Sequence, residues 1–269
     1  MKKIFIILVL PLLFITLDSC KKDRPKTGVF LFSIQDDINL GAQVDQQIKE
    51  SGEFNILDSA TNVMAYDYLN AMKADILSGG NIYYEEEFAW ELNIIDDDST
   101  LNAFCTPGGY IYIYTGLIKY LDNSSSLAGV LGHEMAHADR RHSSKQMQQQ
   151  YGLSLLLQIV SGGAEPGLLS QVAASLTSLA FSRNDETEAD EYSVKYLCPT
   201  DFDAAGAANF FQKIIDQGSA SPPEFLSTHP SPDNRVEHIH DEADALECAP
   251  DYEDPMIIGI SYEQFKEMF

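Results

Sequence analysis

The sequence predicts an α+β protein, mainly helical with one small antiparallel sheet, and three observations carry that prediction. Only residues 87–114 read as strands, with partial apolar–polar alternation bounded by turn clusters. Elsewhere apolar residues recur at three- and four-residue intervals, the period of a helix with one buried face. Hydrophobic residues make up 45% of the 269, enough for a sizeable core.

The N-terminus stands apart. Lys2 and Lys3 precede an almost wholly apolar run over 4–17. That run falls short of the roughly 20 residues of a membrane span and suits an export signal. Leu17-Asp18-Ser19-Cys20 resembles a bacterial lipobox, so residues 1–19 are expected to be a lipoprotein signal peptide and Cys20 the lipidated first residue. An ordinary cleaved signal and a short N-terminal anchor are the alternatives; all three export the chain. Lys21 favours anchoring in the outer membrane, facing the periplasm. Residues 20–35 read as a tether, 36–245 as the folded domain, and 246–269 as a tail packed on or beside it.

Helical spacing appears over 36–49 (Ile38, Leu40, Val44, Ile48) and over 55–76 (Ile56, Leu57, Val63, Met64, Tyr68, Leu69, Met72). Strands are expected at 88–95, 101–105 and 110–114, separated by Asp96-Asp97-Asp98-Ser99 and Pro107-Gly108-Gly109. Further helices are expected at 127–140, 153–160, 168–181, 185–196 and 204–217. The apolar runs at 153–160 and 168–181 are broken by a Gly/Pro segment and are each too short to span a bilayer. They read as core helices, with a lid near the site as the alternative.

The formal net charge of −24 repels phosphate backbones, which excludes nucleic acid as a partner. Oligomeric state is left open. Of the cysteines in the exported part, Cys198 and Cys248 flank loop-like segments and form the favoured disulfide; Cys105, in a strand pattern, reads as a buried small hydrophobe. No C-x-x-C pair offers a thiolate metal site.

The chemistry is concentrated in His133-Glu134-Met135-Ala136-His137. On a helix, His133 and His137 lie one turn apart on the same face and can share one Zn²⁺. Glu134 is adjacent without being a ligand, placed to take a proton from a water on the metal. A third protein ligand is needed, and the stretch 184–190 offers Glu186, with Asp190 one turn on to fix a histidine tautomer. Glu188 points off that face and reads as surface charge. His142, five residues past His137, reads as structural, and His238 and His240 as surface residues.

With Asn102-Ala103-Phe104, Pro107-Gly108-Gly109, Ser182-Arg183, Thr228-His229-Pro230 and Arg235 in the same order, the chain resembles the gluzincin family that includes HtpX, BepA and the CaaX prenyl endopeptidases. The resemblance spans residues 36 to about 240, and Leu197-Cys198-Pro199-Thr200 replaces a Gly-containing turn common there. It implies a zincin-like fold around the active-site helix and zinc-dependent endopeptidase activity on protein or peptide substrates, expected to be misfolded or misassembled envelope proteins. It further implies a substrate-pairing edge strand at Asn102, Ala103 and Phe104, a transition-state or gating role for His229, and a supporting role for Arg235. The competing readings are a catalytically silent or gated chaperone or assembly factor, an interaction lipoprotein with a coincidental histidine pair, and zinc hydrolysis of another bond.

Overall fold

A computed structural model describes residues 22–25, 31–165, 167–176, 180–218, 224–231, 234–249 and 253–269. The expected signal peptide, Cys20 and much of the tether lie outside the described residues. The chain forms α1 (Ile34–Ser51), α2 (Val63–Ser78), β1 (Glu91–Ile95), β2 (Ala103–Thr106) and β3 (Tyr110–Tyr114). There follow α3 (Thr115–Tyr120), α4 (Ser124–Asp139), α5 (His142–Tyr151), α6 (Leu153–Val160) and α7 (Leu168–Ser175). The remainder supplies α8 (Arg183–Leu197), α9 (Gly206–Gln217), α10 (Glu224–Thr228), α11 (Arg235–Ala245) and α12 (Tyr262–Lys266). Among the described residues no helix is long and apolar enough to cross a membrane.

The mainly helical α+β class is as expected, but the sheet is mixed rather than antiparallel. β3 lies in the middle, antiparallel to β2 and parallel to β1. The acidic cluster after β1 does not close a hairpin. Asp97 N–H donates to Thr115 Oγ1 (3.0 Å), Thr115 Oγ1 donates to Asp98 (2.8 Å), and Gly116 N–H donates to the Asp97 carbonyl (3.1 Å). These bonds carry the chain around the end of β3, so β2 returns on its far side. The expected helix over 55–76 begins only at Val63. Before it, Ile56 bridges Ile95 and Leu57 N–H donates to the Ile94 carbonyl (2.9 Å), giving this stretch to the sheet margin. Val63 and Met64, assigned above to the apolar face, are consequently exposed.

The sheet separates two cores, and its period-2 alternation decides which side chain serves which. Cys105, Ile111 and Ile113 face the larger core, with α2, α4, α8, α9 and α12. Phe104, Tyr112 and Tyr114 face the smaller one, formed with Leu40, Val44 and Ile48 of α1 and with Leu156, Ile159 and Val172 of α6 and α7. α6 and α7 are therefore core helices; of the helix expected over 168–181 the described part ends at Ser175, and residues 177–179 lie outside the described residues.

Helix α4 is buried along its whole length. Its start is capped by Asn123, whose side chain accepts from Ser126 N–H (2.8 Å). Glycine allows the crossing with α9: a Cβ on Gly129 would lie 2.1 Å from the Ala207 backbone nitrogen, and one on Gly206 would lie 2.0 Å from the Ser125 carbonyl oxygen. Backbone cannot yield at such distances. Gly129→Ala is therefore expected to destabilise the fold by about 1–3 kcal/mol or more, measured as a lower denaturation midpoint against the parent.

Candidate metal centre

Two helices bring the cluster together. His133 and His137 share one face of α4, and Glu186 lies in the first turn of α8, which Ser182 caps by accepting from Asp185 N–H (3.2 Å). A carboxylate in that turn also gains from the helix dipole. His229 follows α10, whose Phe225 ring stacks on its imidazole (centroids 4.2 Å apart).

The four side chains His133, His137, Glu186 and His229 each offer a ligand atom, all within 4.8 Å of one another. His133 Nε2 and His137 Nε2 are 3.0 Å apart. Glu186 lies 3.4 Å from each of them, and His229 Nδ1 lies 3.0 Å from Glu186 Oε1 and 3.3 Å from His133 Nε2. All four are at most 1% exposed, and Glu134 is fully buried as well.

Electrostatics favour a cation at this point. Burial alone would lower the His133 pKa, yet Asp190 and Glu186 outweigh it and raise it to about 9. Burial would likewise raise Glu186, but His229, His133 and His137 hold it well below the carboxylate range. His137 is pushed well down, first by burial and also by neighbouring imidazoles. Glu186 Oε2 and His229 Nε2 have no hydrogen-bond partner among the described residues. Three imidazoles and one carboxylate whose ligand atoms lie this close together fit a borderline-soft divalent ion such as zinc.

The surrounding residues hold this set in place. Asp190 Oδ1 lies 2.9 Å from His133 Nδ1, and the Arg235 guanidinium grips Asp190 through two bonds (2.6 and 2.7 Å) while lying 3.1 Å from Glu186 Oε2. Arg235 stacks on the Phe211 ring at 3.8 Å. Glu134 Oε1 faces His229 Nε2 at 3.3 Å, and burial lifts the Glu134 carboxyl above its usual range despite His229 and His133.

Asn102, Ala103 and Phe104 are buried on the margin of the sheet. Tyr114 N–H donates to the Asn102 carbonyl (3.2 Å), so residues 101, 103 and 105 turn their backbone groups away from β3. Three of these groups already have internal partners. The Leu101 carbonyl accepts from Phe225 N–H (3.1 Å), Ala103 N–H donates to Asn102 Oδ1 (2.9 Å), and the Cys105 carbonyl accepts from Ser143 Oγ (3.2 Å). Cys105 itself is free and buried. Cys198 and Cys248 are joined as a disulfide, which ties the turn after α8 to the chain following α11.

Two residues set aside in the sequence reading stand next to the cluster. His142 Nδ1 lies 3.1 Å from His137 Nδ1, and its Nε2 lies 3.3 Å from Glu188 Oε2. Glu188 is thus not plain surface charge: His142 and Arg140 draw its carboxyl down to about 2. The missed signal is Arg141, whose left-handed backbone (φ 64°) ends α4 and folds His142 back onto His137. A continuous helix would point residue 142 elsewhere.

Comparison with known proteins follows the same geography. The model of Peptidase family M48 matches residues 67–243. The chain is 30% identical over 227 residues to a beta-barrel assembly-enhancing protease of Yersinia pestis, covering 77% of this chain and 46% of that protein. It is 29% identical over 193 residues to the beta-barrel assembly-enhancing protease of Escherichia coli K12, covering 66% and 39%. It is 28% identical over 203 residues to the mitochondrial metalloendopeptidase OMA1 of Arabidopsis thaliana, covering 72% and 42%. The chain thus spans less than half the length of these relatives.

One zinc per chain is expected by elemental analysis of the parent protein. His133→Ala, which removes an imidazole from the centre of the cluster, is expected to lower the bound zinc to background under the same dialysis.

Proposed function

Because the chain belongs to peptidase family M48, we propose that it is a zinc-dependent endopeptidase, with His133, His137 and Glu186 as the metal ligands and Glu134 as the general base. The observation that carries the reading is the buried ligand cluster with the Glu134 carboxylate beside it, outside the ligand set and facing His229. Zinc, when bound, supplies Lewis acidity toward the scissile carbonyl and acidifies a water. Glu134 takes the proton of the attacking water and returns it to the leaving amine, a task suited to a carboxyl whose pKa is raised. No side chain acts as a nucleophile, so no covalent enzyme intermediate forms. Asp190 and Arg235 hold His133, and β2 pairs with extended substrate through the outward backbone of residues 101–105.

The described arrangement is a closed form on this reading. The cluster is at most 1% exposed, His229 adds a fourth donor where a catalytic zinc would need a position open to water, and α10 covers the start of the edge strand through Phe225. Catalysis requires the segment around His229 to move aside. The likeness to proteases named for beta-barrel assembly supports envelope proteins as the substrate class, and the N-terminal sequence supports a lipid anchor at Cys20 with the domain facing the periplasm.

Zinc content and casein cleavage test the reading. Glu134→Gln is expected to keep one zinc and lose roughly 10²–10⁴ in rate. A variant that cleaves at the parental rate removes Glu134 as the base. His229→Ala is expected to keep zinc and cleave faster than the parent. Full zinc with no cleavage by either the parent or His229→Ala would instead favour a non-catalytic assembly factor.

A further inference from the structure

The two zinc-facing histidines are supported differently. His133 meets its carboxylate directly, through Nδ1 and Asp190. Among the described residues no carboxylate meets His137 at its Nδ1; another imidazole, His142, lies there at 3.1 Å. His137 presents Nε2 to the cluster, so a neutral ring there carries its proton on Nδ1. Two facing Nδ1 atoms hold one hydrogen between them, so His137 donates and His142 accepts. His142 then carries its own proton on Nε2, which faces Glu188 Oε2 at 3.3 Å. Every site in this chain has a single consistent assignment.

Glu188 is fixed in turn. Its other oxygen accepts from Arg140 Nε (3.0 Å), and Arg140 lies over the Tyr192 ring at 3.9 Å. The same guanidinium donates to the carbonyls of Asp23 (2.7 Å) and Arg24 (3.3 Å). Asp185 Oδ1 is the other carboxylate near His142, at 3.8 Å from Nε2, and it is engaged by Lys145 at 2.6 Å.

We propose that His142 is a positioning residue for His137, setting its tautomer and ring orientation for the metal, with Glu188 and Arg140 holding His142 in register. The proposal rests on the zinc peptidase reading and extends the support of the site from one carboxylate to two, the second acting through an inserted imidazole. Such outer partners change metal affinity by about 10–100-fold when removed.

The test measures zinc affinity by chelator competition in the full chain, alongside the melting temperature of the metal-free protein. His142→Ala is expected to weaken zinc binding by about 10-fold or more. His142→Asn, whose Oδ1 can still accept from His137 Nδ1–H, is expected to recover most of that loss. Glu188→Gln alone, at a half-buried position that tolerates the change, is expected to weaken zinc binding less. Added to His142→Ala it should cause no further loss, because it acts through the missing ring. Unchanged affinity in His142→Ala overturns the proposal, whether or not the metal-free melting temperature falls, since that pattern describes a packing role. Equal losses for the Asn and Ala variants, or additive losses with Glu188→Gln, also overturn it. A parent that binds no zinc at all overturns the peptidase reading instead, and this proposal with it.

Discussion

Burying three imidazoles and a carboxylate around one point is the constraint from which the rest of the architecture follows. Removing ionisable groups from water costs several kcal/mol each unless they find charge or hydrogen-bond partners. Here the ligand atoms converge on one another, and Glu186 Oε2 and His229 Nε2 make no hydrogen bond among the described residues, although each faces a charged neighbour, Arg235 and Glu134 respectively. A divalent ion at the common centre offsets that cost, and its binding energy becomes folding energy for the elements that carry the ligands. Helix α4 must then be enclosed on all sides. Glycine where α9 crosses, and the serine Ser193 that donates to the Gly129 carbonyl (2.8 Å) from α8, let two helices approach closely enough to enclose it.

Cations are scarce in this chain, 17 against 41 acidic residues, and the three buried arginines are all committed to internal partners. Arg235 joins α11 to Asp190 and Glu186. Arg141, at the left-handed turn, pairs with the buried Asp37 of α1 (2.6 Å) and donates to the Phe32 carbonyl (2.6 Å). Arg140 links Glu188 to the segment at Asp23 and Arg24. Each brings a separate part of the chain to bear on α4 or α8. The guanidinium group suits this work because it satisfies a carboxylate in a fixed geometry while its flat face packs on a ring, as Arg235 does on Phe211 and Arg140 on Tyr192.

What the sequence reveals follows from how local each signal is. The histidines of α4 and the acidic first turn of α8 are legible because helical period alone places the side chains on shared faces. The strands are legible as strands, since alternation is local, but their order is not. The Asp97–Thr115 and Asp98–Thr115 bonds that send the chain around β3 join residues far apart in sequence. Ile56 and Leu57 look helical by spacing, yet an unpaired sheet margin claims their backbone. His142 reads as structural and is outside the ligand set, but its contact with His137 is hidden for the same kind of reason. Extrapolating the α4 period through Arg141 points residue 142 away from His137, and the left-handed backbone at 141 folds it back onto the Nδ1 side of that ring. Glu188, once His142 is misplaced, has no visible partner and reads as surface.

On the peptidase reading, closure of the metal and closure of the substrate strand are one event, because a single short segment does both. Phe225 N–H occupies the Leu101 carbonyl at the head of the edge strand, while its ring stacks on His229. Three residues later the Thr228 carbonyl accepts from Phe181 N–H (3.0 Å), and the Phe181 ring stacks on His137. Drawing His229 out of the cluster pulls on Phe225, and losing the Phe225 bond frees the outward acceptor with which an extended peptide would begin to pair. Substrate docking and His229 closure therefore compete for the same segment. An arriving strand that replaces Phe225 at Leu101 loosens His229, and a site that stays shut has no free strand edge to offer. A protease built this way cleaves only chains able to present an extended segment, and a folded protein has few such segments to give.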